Sequence, residues 1–191
     1  MPSAIDFTKK SDEEIVKYSL TNKEVYWHLM SRYEKKLLRY IHRSTNASHQ
    51  DGEDILQDVF IKTYQDLNDF DSSLKFSSWI YRICHNEIIN FWRKNSHQGA
   101  HLELFENDAK IANNEPLWKE LDIKLDRAKI DLIFEKMPLK YRDVLILRFL
   151  EEKNYQEMSD ILKMSIGTVG TLLLRAKKIF RRTAEKLQIK F

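Results

Sequence analysis

With 191 residues, 42% of them apolar, the chain is long enough for one ordinary domain or two small ones with compact cores. Four glycines, three prolines and no run of alternating β-branched residues argue for an all-α protein. The apolar runs are too short to span a membrane, MPSAIDFTKKSDEE has no signal-peptide apolar core, and the single Cys84 excludes an internal disulfide, so the expected compartment is the reduced cytoplasm.

The formal charge of +3 conceals an uneven distribution. Residues 1–96 carry 14 Lys and Arg against 14 Asp and Glu, residues 97–126 carry 3 against 7, and residues 127–191 carry 15 against 8. From Lys163 onward there are eight cations and one acid, Glu185. That is the footprint of a segment lying on phosphates, or of a solvated basic helix.

In chain order, capping boxes mark helix starts at Ser11 with Glu14 and at Thr21 with Glu24. After Thr21, Tyr26, Leu29, Met30, Tyr33, Leu37, Tyr40 and Ile41 recur at helical spacing and define a buried stripe. STNASHQDG reads as a loop, and a second long helix runs from about Asp51 to Leu67 with Leu56, Val59, Phe60, Tyr64 and Leu67 inward. Asp54, Asp58, Gln65 and Ile61 then point away. Ile61 is either an ordinary exposed apolar residue or, flanked by Asp54, Gln57 and Asp58, an anchor for a basic partner surface.

The stretch FSSWIYRICHNEIINFWRK, from Phe76 to Lys94, divides into three stripes. Ile80, Cys84, Ile88 and Phe91 read as core, and Tyr81, His85 and Trp92 form the next stripe. Adjacent residues face different ways, so Cys84 and His85 make a poor metal pair. The third stripe holds Trp79, Arg82, Asn86 and Arg93. A ring, an amide and two guanidiniums supply stacking, base-edge hydrogen bonds and phosphate contacts, the inventory of single-strand recognition. The alternative is a solvated face with Trp79 tucked into the core.

Residues 97–126 read as an acidic linker, with a short helix expected after Pro116. Beyond it, Asn154 with Glu157 caps a short helix containing Tyr155, Met158, Ile161 and Leu162, MSIG breaks it, and Ser165 caps a longer helix starting near Gly167. Val169, Leu173, Ala176 and Phe180 form the inner face of that helix. A short helix, a turn and a longer basic helix are the helix-turn-helix pattern, whose second helix enters the major groove. Its outward residues Gly170, Thr171, Leu174 and Arg175 are placed for base edges, and Lys177, Lys178, Arg181 and Arg182 for phosphates.

These stretches resemble a known family. DGEDILQDVFIKTYQDLNDF with FSSWIYRICHNEIINFWRK is similar to region 2 of bacterial RNA polymerase sigma factors, and MPLKYRDVLILRFLEEKNYQEMSDILKMSIGTVGTLLLRAKK is similar to region 4. Two such regions joined by a short linker resemble the extracytoplasmic-function group. The resemblance implies two small helical domains, a region 2 domain over 1–96 and a region 4 domain over 127–191, with the linker 97–126 between them. It implies that Asp54, Gln57, Asp58 and Ile61 dock on a coiled coil of the largest catalytic subunit of core RNA polymerase. Phe70, the loop residues Ser72, Ser73, Leu74 and Lys75, and Asn86 would form a pocket for a flipped base of the −10 element. Arg82 and Arg93 would guide the melted strand, with Trp79 a wedge or packing residue at the pocket rim. Ser165, Thr168, Gly170, Thr171, Leu174, Arg175 and Lys178 would face the −35 duplex, and the linker would run toward the RNA exit path. The implied partners are core polymerase, promoter DNA and, in many family members, an anti-sigma factor. No cofactor, metal, small-molecule substrate or catalytic residue is implied.

Two departures stand out. The family often has basic residues where this chain has Gly170 and Leu172, and usually Ala where it has Ser159, whose hydroxyl is expected to bond back to the preceding turn with little effect. A regulator that binds duplex DNA unaided would share the helix-turn-helix but needs neither the Trp79, Arg82 and Asn86 stripe nor the acidic face around Ile61. An enzyme finds no support in paired acids, metal-ligand spacing or a Gly-rich phosphate loop.

Overall fold

The structure, a computed structural model, describes residues 6–95 and 127–189, and among them every regular element is helical. The linker expected over 97–126 lies outside the described residues. The chain divides into two compact units, one N-terminal and one C-terminal.

The N-terminal unit begins with α1 (Asp12–Thr21), started by the Ser11 box: Ser11 Oγ accepts the Glu14 N–H at 3.2 Å and Glu14 accepts the Ser11 N–H at 2.9 Å. The box expected at Thr21 does not form. Thr21 closes α1, its hydroxyl donates back to the Tyr18 carbonyl at 3.0 Å, and Asn22 instead accepts the Glu24 N–H at 3.0 Å to open a 3-10 turn, Lys23–Val25. A threonine hydroxyl that already has a carbonyl one turn behind it is a poor forward cap.

Helix α2 (Tyr26–Thr45) buries Tyr26, Leu29, Tyr33, Leu37, Tyr40 and Ile41, the stripe its spacing predicts apart from half-exposed Met30. It stops at Asn46, whose left-handed φ of 54° suits a short polar side chain. Helix α3 (His49–Gln65) starts on Ser48, two residues earlier than the sequence suggests, and buries Ile55 and Thr63 beside the predicted face. A Cβ on Gly52 would lie 2.5 Å from His42 Cε1, so the glycine lets the α2 imidazole cover the start of α3.

Helix α4 (Phe76–Asn95) packs against α2 and α3, and its Phe76 N–H is taken at 3.0 Å by Glu13 Oε1 of α1. One helix thus supplies the anion that another helix's N-terminus favours. Ile80, Cys84 and Ile88 are fully buried, while His85 Nδ1 lies 3.3 Å from the Tyr40 hydroxyl. Cys84 and His85 therefore meet different surroundings, as adjacent helical residues must.

In the C-terminal unit, α5 (Arg127–Glu135) and α6 (Leu139–Leu145) lead through a wide turn, Ile146–Leu150, into α7 (Tyr155–Leu162) and α8 (Ile166–Lys186). Both α5 and α6 pack against α8, with Phe134 edge-on to Phe180 at 5.7 Å. Arg142 is buried in this core and donates to the Phe134 carbonyl at 3.5 Å. Desolvation pulls its pKa down, and the charges of Asp143 and Glu135 pull it back.

Candidate nucleic-acid and partner interfaces

Three surfaces of the two units carry exposed chemistry. On the N-terminal unit, Asp54, Gln57, Asp58 and Ile61 all stand exposed on α3, with Ile61 48% accessible. A groove of about 890 Å³ runs between α2 and α3, lined on its apolar side by Tyr26, Trp27, Met30, Leu56, Phe60 and Ile61, with Glu34 and Glu53 also bordering it. Trp27 is 60% exposed, more than any other large apolar side chain among the described residues. Of the four α3 residues the sequence singled out, Gln57 and Ile61 line this groove and Asp54 and Asp58 do not, and the α2 wall was missed. The signal was there: Trp27 lies beside the inner stripe, and an indole placed off the stripe of an amphipathic helix has no core to enter.

The second surface combines the loop over 66–75 with α4. Asp71 accepts the Ser73 N–H at 2.9 Å, and this bond holds its carboxyl below the usual carboxylate range. The Leu74 N–H closes the same turn onto the Asp71 carbonyl at 3.0 Å. Ser72, Ser73 and Lys75 are exposed, and Phe70 and Leu74 are half-buried. Phe70 folds back so that its ring lies 5.3 Å from Trp79 and 5.6 Å from Phe76.

Trp79 accordingly departs from the outward stripe. It is 6% exposed, closed over by Phe70 and Phe76, and serves as the floor of the loop. It shares a helix face with Arg82, Asn86 and Arg93, yet the loop covers the first turn of that face, so only those three stand beyond the covered part. Of these, Asn86 and Arg93 are exposed and Arg82 is half-buried.

The third surface is the outer side of α7 and α8. The Asn154 box starts α7, and Met158, Ile161 and Leu162 are buried while Tyr155 is not. The turn passes through Lys163 with φ 52°, and Ser165 Oγ caps α8 by accepting the Thr168 N–H at 3.1 Å. Val169, Leu173, Ala176 and Phe180 are buried as predicted. Leu172 joins them in the core. Ser165, Thr168 and Lys178 are exposed, and Gly170, Thr171, Leu174 and Arg175 are half-buried on the outer side.

Ser159 differs from expectation. Its hydroxyl donates forward to the Met164 carbonyl at 2.5 Å while the Met164 N–H donates to the Ser159 carbonyl at 3.2 Å, a two-way clasp across the turn. The chain reverses direction after Lys163 and brings the Met164 carbonyl within reach, which spacing along a helix does not reveal. Replacing Ser159 with Ala is expected to lower the stability of this unit by about 1 kcal/mol, the value of one such bond, seen as a lower melting temperature. An unchanged melt would show that the clasp contributes nothing.

Comparison with known proteins places both units. The Sigma-70 region 2 family matches residues 29–98, and the Sigma-70 region 4 family matches residues 127–179. The chain is 28% identical over 179 residues to the ECF RNA polymerase sigma factor SigW of Bacillus subtilis, covering 87% of this chain and 92% of that one. It is 26% identical to the ECF RNA polymerase sigma-E factor of Haemophilus influenzae, covering 87% and 90%. In fold it resembles CnrH, solved in complex with the cytosolic domain of CnrY, with a TM-score of 0.68, 20% identity and coverage of 93% and 99%. It also resembles RpoE of Bartonella quintana, solved with the anti-sigma factor NepR, with a TM-score of 0.63, 18% identity and coverage of 84% and 96%. The two family regions fall on the two units in the same order, and together with these relatives they establish that the chain belongs to the sigma-70 family, in its extracytoplasmic-function (ECF) group.

Proposed function

We propose that this ECF sigma factor uses the α2–α3 groove to dock on core RNA polymerase, α8 to read upstream duplex DNA, and the loop over 66–75 with Arg82, Asn86 and Arg93 to hold the melted strand. The N-terminal unit then serves docking and −10 recognition, and the C-terminal unit serves −35 recognition. The chain itself performs no catalysis; it acts in the cytoplasm, where polymerase is. Melting is driven by differential binding: single-stranded bases held on α4 and the loop shift the population toward the open duplex.

The observation that carries this reading is the division of exposed chemistry between the units. One carries an apolar groove bordered by acids, with Trp27 and Ile61 open to solvent, and the other carries a basic helix after a tight turn. A regulator binding duplex unaided has no use for the first. By likeness to the RpoE complex, an anti-sigma protein is a further partner class for this chain.

Asn86 gives the test. Its exposed amide can hydrogen-bond a base edge, so Asn86→Ala is expected to lower open-complex formation on a cognate promoter about tenfold, with polymerase binding unchanged. A fluorescent base at the −10 position reads the opening. Open-complex formation equal to the parent protein's would refute the assignment.

A further inference from the structure

Ile166, Gly170 and Leu174 follow one another at intervals of four on α8 and so form one stripe over its opening turns. None has a hydrogen-bonding side chain, and Ile166 is 49% exposed. The neighbouring hydroxyls are engaged within the helix. Thr171 Oγ1 donates to the Gly167 carbonyl at 3.0 Å, and the Ser165 and Thr168 hydroxyls bond each other at 2.8 Å. Exposed cations come later on the helix, at Lys178, Arg181 and Arg182. The opening turns of a recognition helix that reaches base edges therefore offer methyl groups, with the half-buried Arg175 following Leu174, and the part beyond offers charge suited to phosphates.

Glycine at 170 is not imposed by the backbone or by packing. A Cβ there would meet only Tyr155 Cε1, at 3.8 Å, an ordinary contact. Its effect is to leave the stripe without a donor.

In the major groove of unmodified B-DNA, one base displays a methyl group, thymine at C5. Resting on the reading of α8 as the duplex-reading helix, we propose that this sigma factor identifies its upstream element by apolar contact with thymine methyls, made by Ile166, Leu174 and the Thr171 methyl. Specificity at those positions is then independent of guanidinium-to-guanine pairing.

The test uses the full chain bound to core RNA polymerase. Duplexes randomised in the upstream segment are selected for binding, and the selected duplex is resynthesised with each thymine replaced in turn by uracil, which removes one methyl and keeps the base pair. At one or more positions the replacement is expected to weaken binding about three- to fivefold, the loss of one buried methyl. Ile166→Ala or Leu174→Ala is expected to bind thymine and uracil equally at that position. Gly170→Arg, whose Cβ would meet only Tyr155 Cε1 in ordinary contact, is expected to move selection toward guanine nearby. Equal binding of every uracil-substituted duplex by the parent complex overturns the proposal and leaves α8 as a duplex reader intact. Selection of no upstream sequence at all overturns both.

Discussion

Ile61→Glu is expected to weaken binding to core RNA polymerase by about 2–4 kcal/mol, the range of an interface hot spot, while barely changing the melting temperature. Ile61 is 48% exposed, so the fold loses little apolar burial when it is replaced. In the docked state the same side chain borders the groove shared with Trp27, where a carboxylate has to be desolvated among Tyr26, Leu56 and Phe60. The exposed acids Asp54 and Asp58 stand on the same helix and add like charge. Co-purification of core polymerase with the variant reads the effect. Retention equal to the parent protein's would remove Ile61 from the docking surface.

Trp79→Ala is expected to destabilise the N-terminal unit by about 3–5 kcal/mol, as large aromatic truncations in cores do. The indole is 6% exposed and supports Phe70, the half-buried residue through which the loop over 66–75 rests on α4. Loss of the floor should therefore release the loop and reduce strand binding together with stability. Trp79→Phe keeps a ring in place and should restore most of both. The measurement is a thermal melt of each variant beside its affinity for a single-stranded −10 oligonucleotide in the polymerase complex. A Trp79→Ala variant with an unchanged melt and lost strand binding would instead make the indole a direct contact to DNA.

The fold was legible because helical periodicity reports burial directly. Most of the stripe from Tyr26 to Ile41 and of the inner faces of α3, α4 and α8 could be read from spacing, with Met30 in α2, Tyr64 in α3 and Phe91 in α4 the exceptions, all only half-buried. Misses occurred where one element acts on another. The wheel of α4 places Trp79 with Arg82 and Asn86, but only the path of the preceding loop puts Phe70 on top of it. The Ser159 clasp needs the chain reversal after Lys163, and the Glu13 cap on α4 joins residues far apart in sequence. The groove between α2 and α3 was half legible for the same reason: the wheel of α3 exposes Ile61, whereas the groove exists only once α2 lies beside it. Leu172 marks the limit of reading by family likeness: the resemblance pointed to it as a place for a cation, and its side chain is core.

In the proposed mechanism the protein, once on polymerase, prefers opened DNA to paired DNA. That preference is measured by mixing the purified full chain with bacterial core RNA polymerase and comparing affinity for a fully paired promoter duplex with affinity for the same duplex carrying a pre-melted −10 bubble. The complex is expected to form and to bind the bubble more tightly. A protein that ignores polymerase yet binds paired duplex by itself would contradict this expectation, and would leave the exposed face of α4 as solvated surface.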